Sequence, residues 1–288
     1  MAEESAITPF AAAGTAVSEV KRRLHSFESE LARIRSGVIV EVKDIKHAII
    51  AEETGACCVL LSEPIHRGIL RMPDPLLFKE IKKVVSIPVI VKIRVGHFVE
   101  AQILDSVGVR HFDESDKASA ADDQNFINKH KFKDSYFVCG CRNLGEALRR
   151  IKEGAAMVKT QGDMSSSSGN IAETLRNVRS VMGEIRYLHN MNDDEVFAFS
   201  KKIAAPYDLV KETKELGRLP AIHYAAGGIV TPADAALMMQ LGCDGIFLGS
   251  EIFDYPNHRD RLRGMIKAVR NYNNPEVLAE VSFGFGAA

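Results

Sequence analysis

The chain has 288 residues, with 37 Lys and Arg against 38 Asp and Glu, a formal net charge of −1, and 46% hydrophobic residues. This is ordinary globular composition, and the balanced charge excludes bulk affinity for nucleic acid, which needs clustered positive charge. No window approaches the ~18 consecutive apolar residues of a membrane span, and Met1 to Ser18 lack the basic start and apolar core of a secretory signal, so the expected location is cytoplasmic.

In chain order, residues 1–36 read as an N-terminal extension. Val17, Val20, Leu24, Phe27, Leu31 and Ile34 recur at alternating three- and four-residue spacing, which predicts an amphipathic helix. That stripe packs on its own domain or offers a docking surface to another subunit. Eight short β-branched runs follow, at 38–42, 57–62, 88–94, 110–115, 136–141, 157–162, 221–227 and 245–250. Each has the length of an ordinary strand. Helical patterns separate them at 44–54, 74–84, 97–106, 144–153 and 232–241. Thr231-Pro232 supplies an N-cap followed by proline at the first helical position. Gly55, Gly108, Gly154, Gly217 and Gly242 each follow a helical pattern, as a left-handed C-cap requires. Residues 171–209 are too long for one covering helix and predict two or three.

Strand–helix alternation predicts a parallel sheet with covering helices. Eight units in this length predict an α/β fold of the (β/α)8 TIM barrel type over 37–282, with a short tail at 283–288. A doubly wound open sheet is the alternative; it often carries a Gly-rich turn after its first strand, where this chain has Val42-Lys43-Asp44. The five cysteines are Cys57, Cys58, Cys139, Cys141 and Cys243, all in apolar runs and none in Cys-x-x-Cys spacing. They read as small buried hydrophobes in a reducing compartment, with a reactive thiol as the alternative. No metal site is expected.

Barrel chemistry gathers at the C-terminal ends of strands. Glu41 closes the first strand, Lys92 and Arg94 lie two apart on the third, Asp113 and Glu114 on the fourth, and Lys159 and Gln161 two apart on the sixth. Gly227-Gly228 and Gly249-Ser250 follow the seventh and eighth strands. Glycines there expose backbone N–H groups, the common barrel phosphate site; simple turn glycine is the alternative. Lys92 stands in an apolar strand, where burial lowers a lysine pKa and frees the amine to form a Schiff base with a carbonyl. Asp113 on the next strand could move the protons of imine formation, and a structural Lys–Asp pair explains the same residues equally well. The residues alone therefore give a phosphosugar-binding barrel with imine chemistry in reach, including that of a class I phosphosugar lyase using Lys92.

Several strings resemble the synthase (lyase) subunit family of glutamine-dependent pyridoxal 5′-phosphate synthase. They include Arg94-Val95-Gly96-His97-Phe98-Val99-Glu100-Ala101, Asp113-Glu114-Ser115, Val138-Cys139-Gly140-Cys141-Arg142-Asn143-Leu144-Gly145 and Ala204-Ala205-Pro206-Tyr207-Asp208-Leu209. The resemblance runs from about Gly37 to Ser282. It implies a barrel that stacks as two hexameric rings and condenses ribose 5-phosphate, glyceraldehyde 3-phosphate and ammonia, with a separate glutaminase subunit as ammonia source. It implies catalytic roles for Lys92, Asp113 and Glu41, phosphate contacts at Gly162, Gly169, Gly227, Gly228, Gly249 and Ser250, and no bound cofactor.

The departures from that family carry the functional expectation. Where the family has Arg-Thr-Lys-Gly-Glu on strand six, this chain has Lys159-Thr160-Gln161-Gly162-Asp163. The second imine-forming lysine is Gln161, whose amide is no such nucleophile, and Lys159 replaces the family arginine. Glu41 stands for an aspartate, and Met164-Ser165-Ser166-Ser167-Ser168-Gly169 for a Gly-rich loop. The segment after strand two, the N-terminal segment and the tail also differ. The pattern resembles the non-catalytic plant paralogue, through Asn170-Ile171-Ala172-Glu173-Thr174 and Gly249-Ser250-Glu251-Ile252-Phe253-Asp254 among other strings. The resemblance thus implies a pseudoenzyme that joins catalytic homologues in mixed hexamer or dodecamer rings. An active synthase subunit that relays through Lys159 is the alternative. No nucleic-acid or membrane partner is expected.

Overall fold

The structure, a computed structural model, describes residues 34, 37–63, 70–116, 120–122, 124–162 and 170–285. The proposed N-terminal helix up to Arg33, the segment around Ile65 and the serine run with Gly169 lie outside the described residues.

Eight strands run β1 (Gly37–Val42), β2 (Cys58–Leu61), β3 (Val89–Lys92), β4 (His111–Glu114), β5 (Tyr136–Cys141), β6 (Ala155–Gln161), β7 (Ile222–Ala226) and β8 (Gly245–Leu248). They pair in sequence order, all in parallel, and β1 pairs with β8 through Gly37 opposite Gly245, so the sheet closes on itself. This is the (β/α)8 barrel; the open doubly wound alternative falls with the β1–β8 pairing.

Strand alternation divides the core. Ile39, Cys58, Leu60, Ile90, Val138, Met157, Ile222, Tyr224 and Phe247 fill the barrel interior. Their sequence neighbours Val38, Val40, Val59, Leu61, Val89, Val91, Phe112, Phe137 and Ile246 face the helices. Burial on both sides is why these strands read as near-continuous apolar runs.

The covering helices are α1 (Ile45–Thr54), α2 (Pro75–Val84), α3 (Phe98–Ser106) and α4 (Leu144–Lys152). After β6 come α5 (Ile171–His189), α6 (Asp193–Lys202) and α7 (Tyr207–Leu216), and after β7 and β8 come α8 (Pro232–Gln240), α9 (His258–Arg270) and α10 (Pro275–Ser282). Helix starts follow local sequence. Asp44 accepts from His47 N at 2.8 Å ahead of α1, Asn143 from Glu146 N at 2.9 Å ahead of α4, and Thr231 forms a capping box with Asp234 ahead of α8. Gly55 and Gly217 end α1 and α7 in the left-handed conformation.

The 171–209 segment folds as expected into more than one helix. Val181, Ile185 and Leu188 of α5 pack with Val196 and Phe199 of α6, Val210 of α7 and Leu144 and Leu148 of α4. This satellite core anchors the insertion beside β5 and β6.

Candidate active site at the barrel mouth

The inward alternation places Glu41, Lys92, Asp113, Lys159 and Gln161 on the barrel interior near its C-terminal end. Lys92 Nζ lies 3.9 Å from Glu41 Oε1 and 4.0 Å from Asp116 Oδ2. Glu41 is held in turn by Ser62 Oγ, which donates to its Oε1 at 2.5 Å. Lys159 Nζ donates to Asp113 Oδ2 at 2.7 Å, and both side chains are buried. The same ammonium stands 4.6 Å from the Phe247 ring centroid, a cation–π contact. The other Asp113 oxygen, Oδ1, is buried without a hydrogen-bond partner among the described residues.

Two expectations change here. Lys92 does not have the lowered pKa that burial alone predicts. Burial does disfavour the ammonium, but Glu41, Asp113, Asp116 and Glu251 outweigh it and hold the pKa above the ordinary lysine value. The surrounding carboxylates thus favour the ammonium form of Lys92. Arg94, expected to share the Lys92 face, lies beyond β3 and is drawn to α3. Its Nε donates to Glu100 Oε1 at 2.8 Å, and its backbone N–H to Glu100 Oε2 at 2.9 Å. Arg94 fastens the β3–α3 turn.

Glu114 points outward and is a structural group. Its Oε1 accepts from Gly96 N and Ile127 N, both at 3.0 Å, and its Oε2 lies 2.8 Å from Lys129 Nζ. The pair ties the turn after β3 to the segment before β5.

Gln161 stands at the interior tip of β6. Its Nε2 donates to the Ser115 backbone carbonyl at 3.0 Å, and the Gln161 backbone carbonyl accepts from Asn177 Nδ2 of α5 at 3.0 Å. Ser115 reaches this point over Gly140, where a Cβ would come within 2.7 Å of the Ser115 oxygen. The same incursion carries Asp116 to Lys92. Neither Asp116 nor Ser62 was singled out from sequence; the Asp113-Glu114-Ser115-Asp116 run was the available signal for the first.

Gly227 and Gly228 end β7, and Gly249 and Ser250 end β8. Together with Glu41, Lys92, Lys159, Gln161 and Glu251, the glycines line a small cavity at the mouth. Gly228 has φ +73°, and a Cβ there would strike the backbone of Ile171 at the start of α5. Gly162 approaches the same helix; its N–H donates to Thr174 Oγ1 at 3.0 Å. Of the expected mouth residues, Glu41, Lys92, Lys159, Gln161, Gly227, Gly228 and Gly249 line this cavity, Asp113 is paired with Lys159 beneath it, Arg94 and Glu114 face elsewhere, and Gly169 lies outside the described residues.

Burial disfavours the thiolate at Cys57, Cys139 and Cys243. All five cysteines are free, and burial pushes Cys57 to about 11 and Cys139 to about 12, far from thiolate chemistry. Among the described residues no group of side chains could hold a metal ion, and no helix is long and apolar enough to cross a membrane.

Comparison with known proteins decides the family. The model of the SOR/SNZ family matches residues 24–226. The chain belongs to the SOR/SNZ family. Among its relatives in that family, the pyridoxal 5′-phosphate synthase-like subunit PDX1.2 of Arabidopsis thaliana is 56% identical, over 98% of this chain and 90% of the relative. The pyridoxal 5′-phosphate synthase subunit PDX1 of Phaseolus vulgaris is also 56% identical, over 95% and 89%. The subunit PDX1.3 of Arabidopsis thaliana is 55% identical over 95% and 90%. The chain is thus a member of a family of vitamin B6 biosynthesis, as its strings implied. Among solved structures, thiamine phosphate pyrophosphorylase from Pyrococcus furiosus superposes with a TM-score of 0.51 at 15% identity, covering 84% of this chain and 100% of that one. That likeness concerns the barrel fold alone.

Proposed function

We propose that this chain is a non-catalytic subunit of the pyridoxal 5′-phosphate synthase family, acting in the cytoplasm by assembling with catalytic homologues. The observation that carries the reading is Gln161. At the interior tip of β6, where the resemblance calls for a second imine-forming amine, the chain has an amide already bonded to the Ser115 carbonyl. An amide nitrogen shares its lone pair with its carbonyl and forms no imine.

Two further observations support the reading. Lys159 is engaged by Asp113 at 2.7 Å, so relay through it would require breaking a buried ion pair. Lys92, the retained first lysine, is held as an ammonium by four carboxylates. Mixed rings with catalytic synthase subunits follow from the family resemblance and from 55–56% identity to PDX1-type relatives. A glutaminase partner belongs to the same reading.

The purified chain, given ribose 5-phosphate, glyceraldehyde 3-phosphate and ammonium, is expected to form no pyridoxal 5′-phosphate. Its appearance above a no-protein control would overturn the proposal. Lys92 within the mouth favours the second reading, an active synthase subunit or a class I phosphosugar lyase. Borohydride trapping with ribose 5-phosphate followed by peptide mass spectrometry tests it: absence of an adduct on Lys92 would remove the lyase, whereas an adduct together with product would be required to support it.

A further inference from the structure

We infer that Glu251 is a ligand-excluding residue: its carboxylate fills the glycine cradle at the barrel mouth, so that a phosphosugar cannot seat there. The inference rests on the reading of Gly227, Gly228, Gly249 and Ser250 as a phosphate cradle, and deepens the non-catalytic proposal by naming what closes the site.

Space is the first argument. Glu251 lies in the 3-10 turn Ser250–Asp254 that follows β8. Its carboxylate folds back onto the Cα of Gly249; a Cβ at that glycine would meet Glu251 Oε1 at 2.5 Å and strike Oε2 as well. A side chain at position 249 would have to push this carboxylate aside. The cavity that remains between Glu41, Lys92, Gln161, Gly228, Gly249 and Glu251 is about 30 Å³. At the ~10–15 Å³ that one water requires, it holds a water or two, and a phosphorus with four oxygens is larger than that.

Donors are the second argument. The Glu251 carboxylate accepts from its own backbone N–H, one of the amides at the end of β8 that an incoming phosphate would need. Charge is the third. Four carboxylates, of Glu41, Asp113, Asp116 and Glu251, crowd two ammonium groups, of Lys92 and Lys159. Burial, then the neighbouring Glu41 and Asp254, raise the Glu251 pKa against the opposing effects of its own backbone N–H and Lys43, as expected for a carboxylate held in an already acidic pocket. A phosphate dianion entering there meets repulsion in a partly desolvated site, where charges interact more strongly than in water.

Titration calorimetry on the full chain at neutral pH, with inorganic phosphate and with ribose 5-phosphate, tests the inference. The native chain is expected to show no saturable binding at millimolar ligand. Glu251→Gly is expected to bind ribose 5-phosphate at least tenfold more tightly. Glu251→Gln, which keeps the bulk and removes the charge, is expected to gain less. Matching thermal melts establish that the variants fold, and Glu251→Ala replaces the glycine variant if that one does not. Ribose 5-phosphate binding by the native chain within twofold of Glu251→Gly or its alanine replacement would overturn the inference. Such binding without product leaves the non-catalytic reading standing and removes only the closure. Product from the native chain would require the sugar phosphate to seat, and would remove both the closure and the non-catalytic reading.

Discussion

Asp113 and Lys159 illustrate how one pair of residues changes meaning with its surroundings. Read along the strands, Asp113 is a proton carrier for Lys92; in the barrel, one of its oxygens is spent on Lys159 and the other lies buried without a hydrogen bond among the described residues. Removing one partner of a buried pair strands the other charge, at a cost of ~3–5 kcal/mol. Asp113→Asn should therefore lower the denaturant midpoint strongly. The double variant Asp113→Leu with Lys159→Met should lose less than Asp113→Asn, because no charge is left behind; urea titrations compare them. Lys92 gives a second expectation. With its ammonium stabilised, borohydride trapping at neutral pH should leave Lys92 unmodified in nearly all molecules. The positions of Glu41, Lys92, Asp113 and Gln161 were legible because strand alternation fixes which side chains face inward. The protonation state of Lys92 was not, because it sums carboxylates from β1, β4, the turn after β4 and the turn after β8. Glu251 was legible only as a letter in a string: its fold-back onto Gly249 depends on the 3-10 turn, which hydrophobic patterning does not encode.

Among the elements, β6 and β7 meet through a buried polar contact on their outward faces. Thr160 Oγ1 and His223 Nε2 are 2.7 Å apart, and Thr160 also touches Cys141 Sγ at 3.2 Å. Burial lowers the His223 pKa to about 4 from its ordinary 6.5, the nearby Arg218 adding to the effect and Asp244 opposing it. The unfolded chain takes up this proton between pH 6.5 and 4 while the folded chain does not. The stabilisation from a neutral His223 is therefore complete above pH 6.5 and declines as pH falls toward 4, by roughly 3 kcal/mol in all. Urea midpoints of His223→Gln, measured from pH 7.5 to 4, should fall less steeply than those of the native chain. Helix boundaries were well marked by side-chain caps and C-terminal glycines, and the insertion was recognisable by its length. Its division into α5, α6 and α7 was less so, because the breaks at Asn190 to Asn192 and Ala204 to Pro206 are short and the apolar stripes on either side face one shared satellite core.

For the whole molecule, the fold class was legible from eight repeats of one strand–helix unit, whereas the assembled state was not, because a surface reveals its partner only when both faces are known. Helix α3 exposes Phe98, Val99 and Ile103, at 57%, 40% and 39%. Three large apolar side chains in contact with solvent on one short helix suit a covered face in an assembly. If mixed rings form, Phe98→Asp should reduce the fraction of assembled species by several-fold in native mass spectrometry with a catalytic homologue, while the melting temperature of the barrel changes little.

The β1–β8 pairing makes the barrel a circuit without ends. Every strand is gripped from both sides, and the outward-facing half of each strand supplies its adhesion to the helices. Inward tips that, like Gln161, are not half of a buried ion pair can then be exchanged without loosening the circuit, so such tips are free to diverge while the register that displays them persists. Chemistry at such an unpaired tip is exchangeable at small structural cost, and a lysine placed at position 161 would be delivered to the interior tip of β6 by the same register that now displays the glutamine.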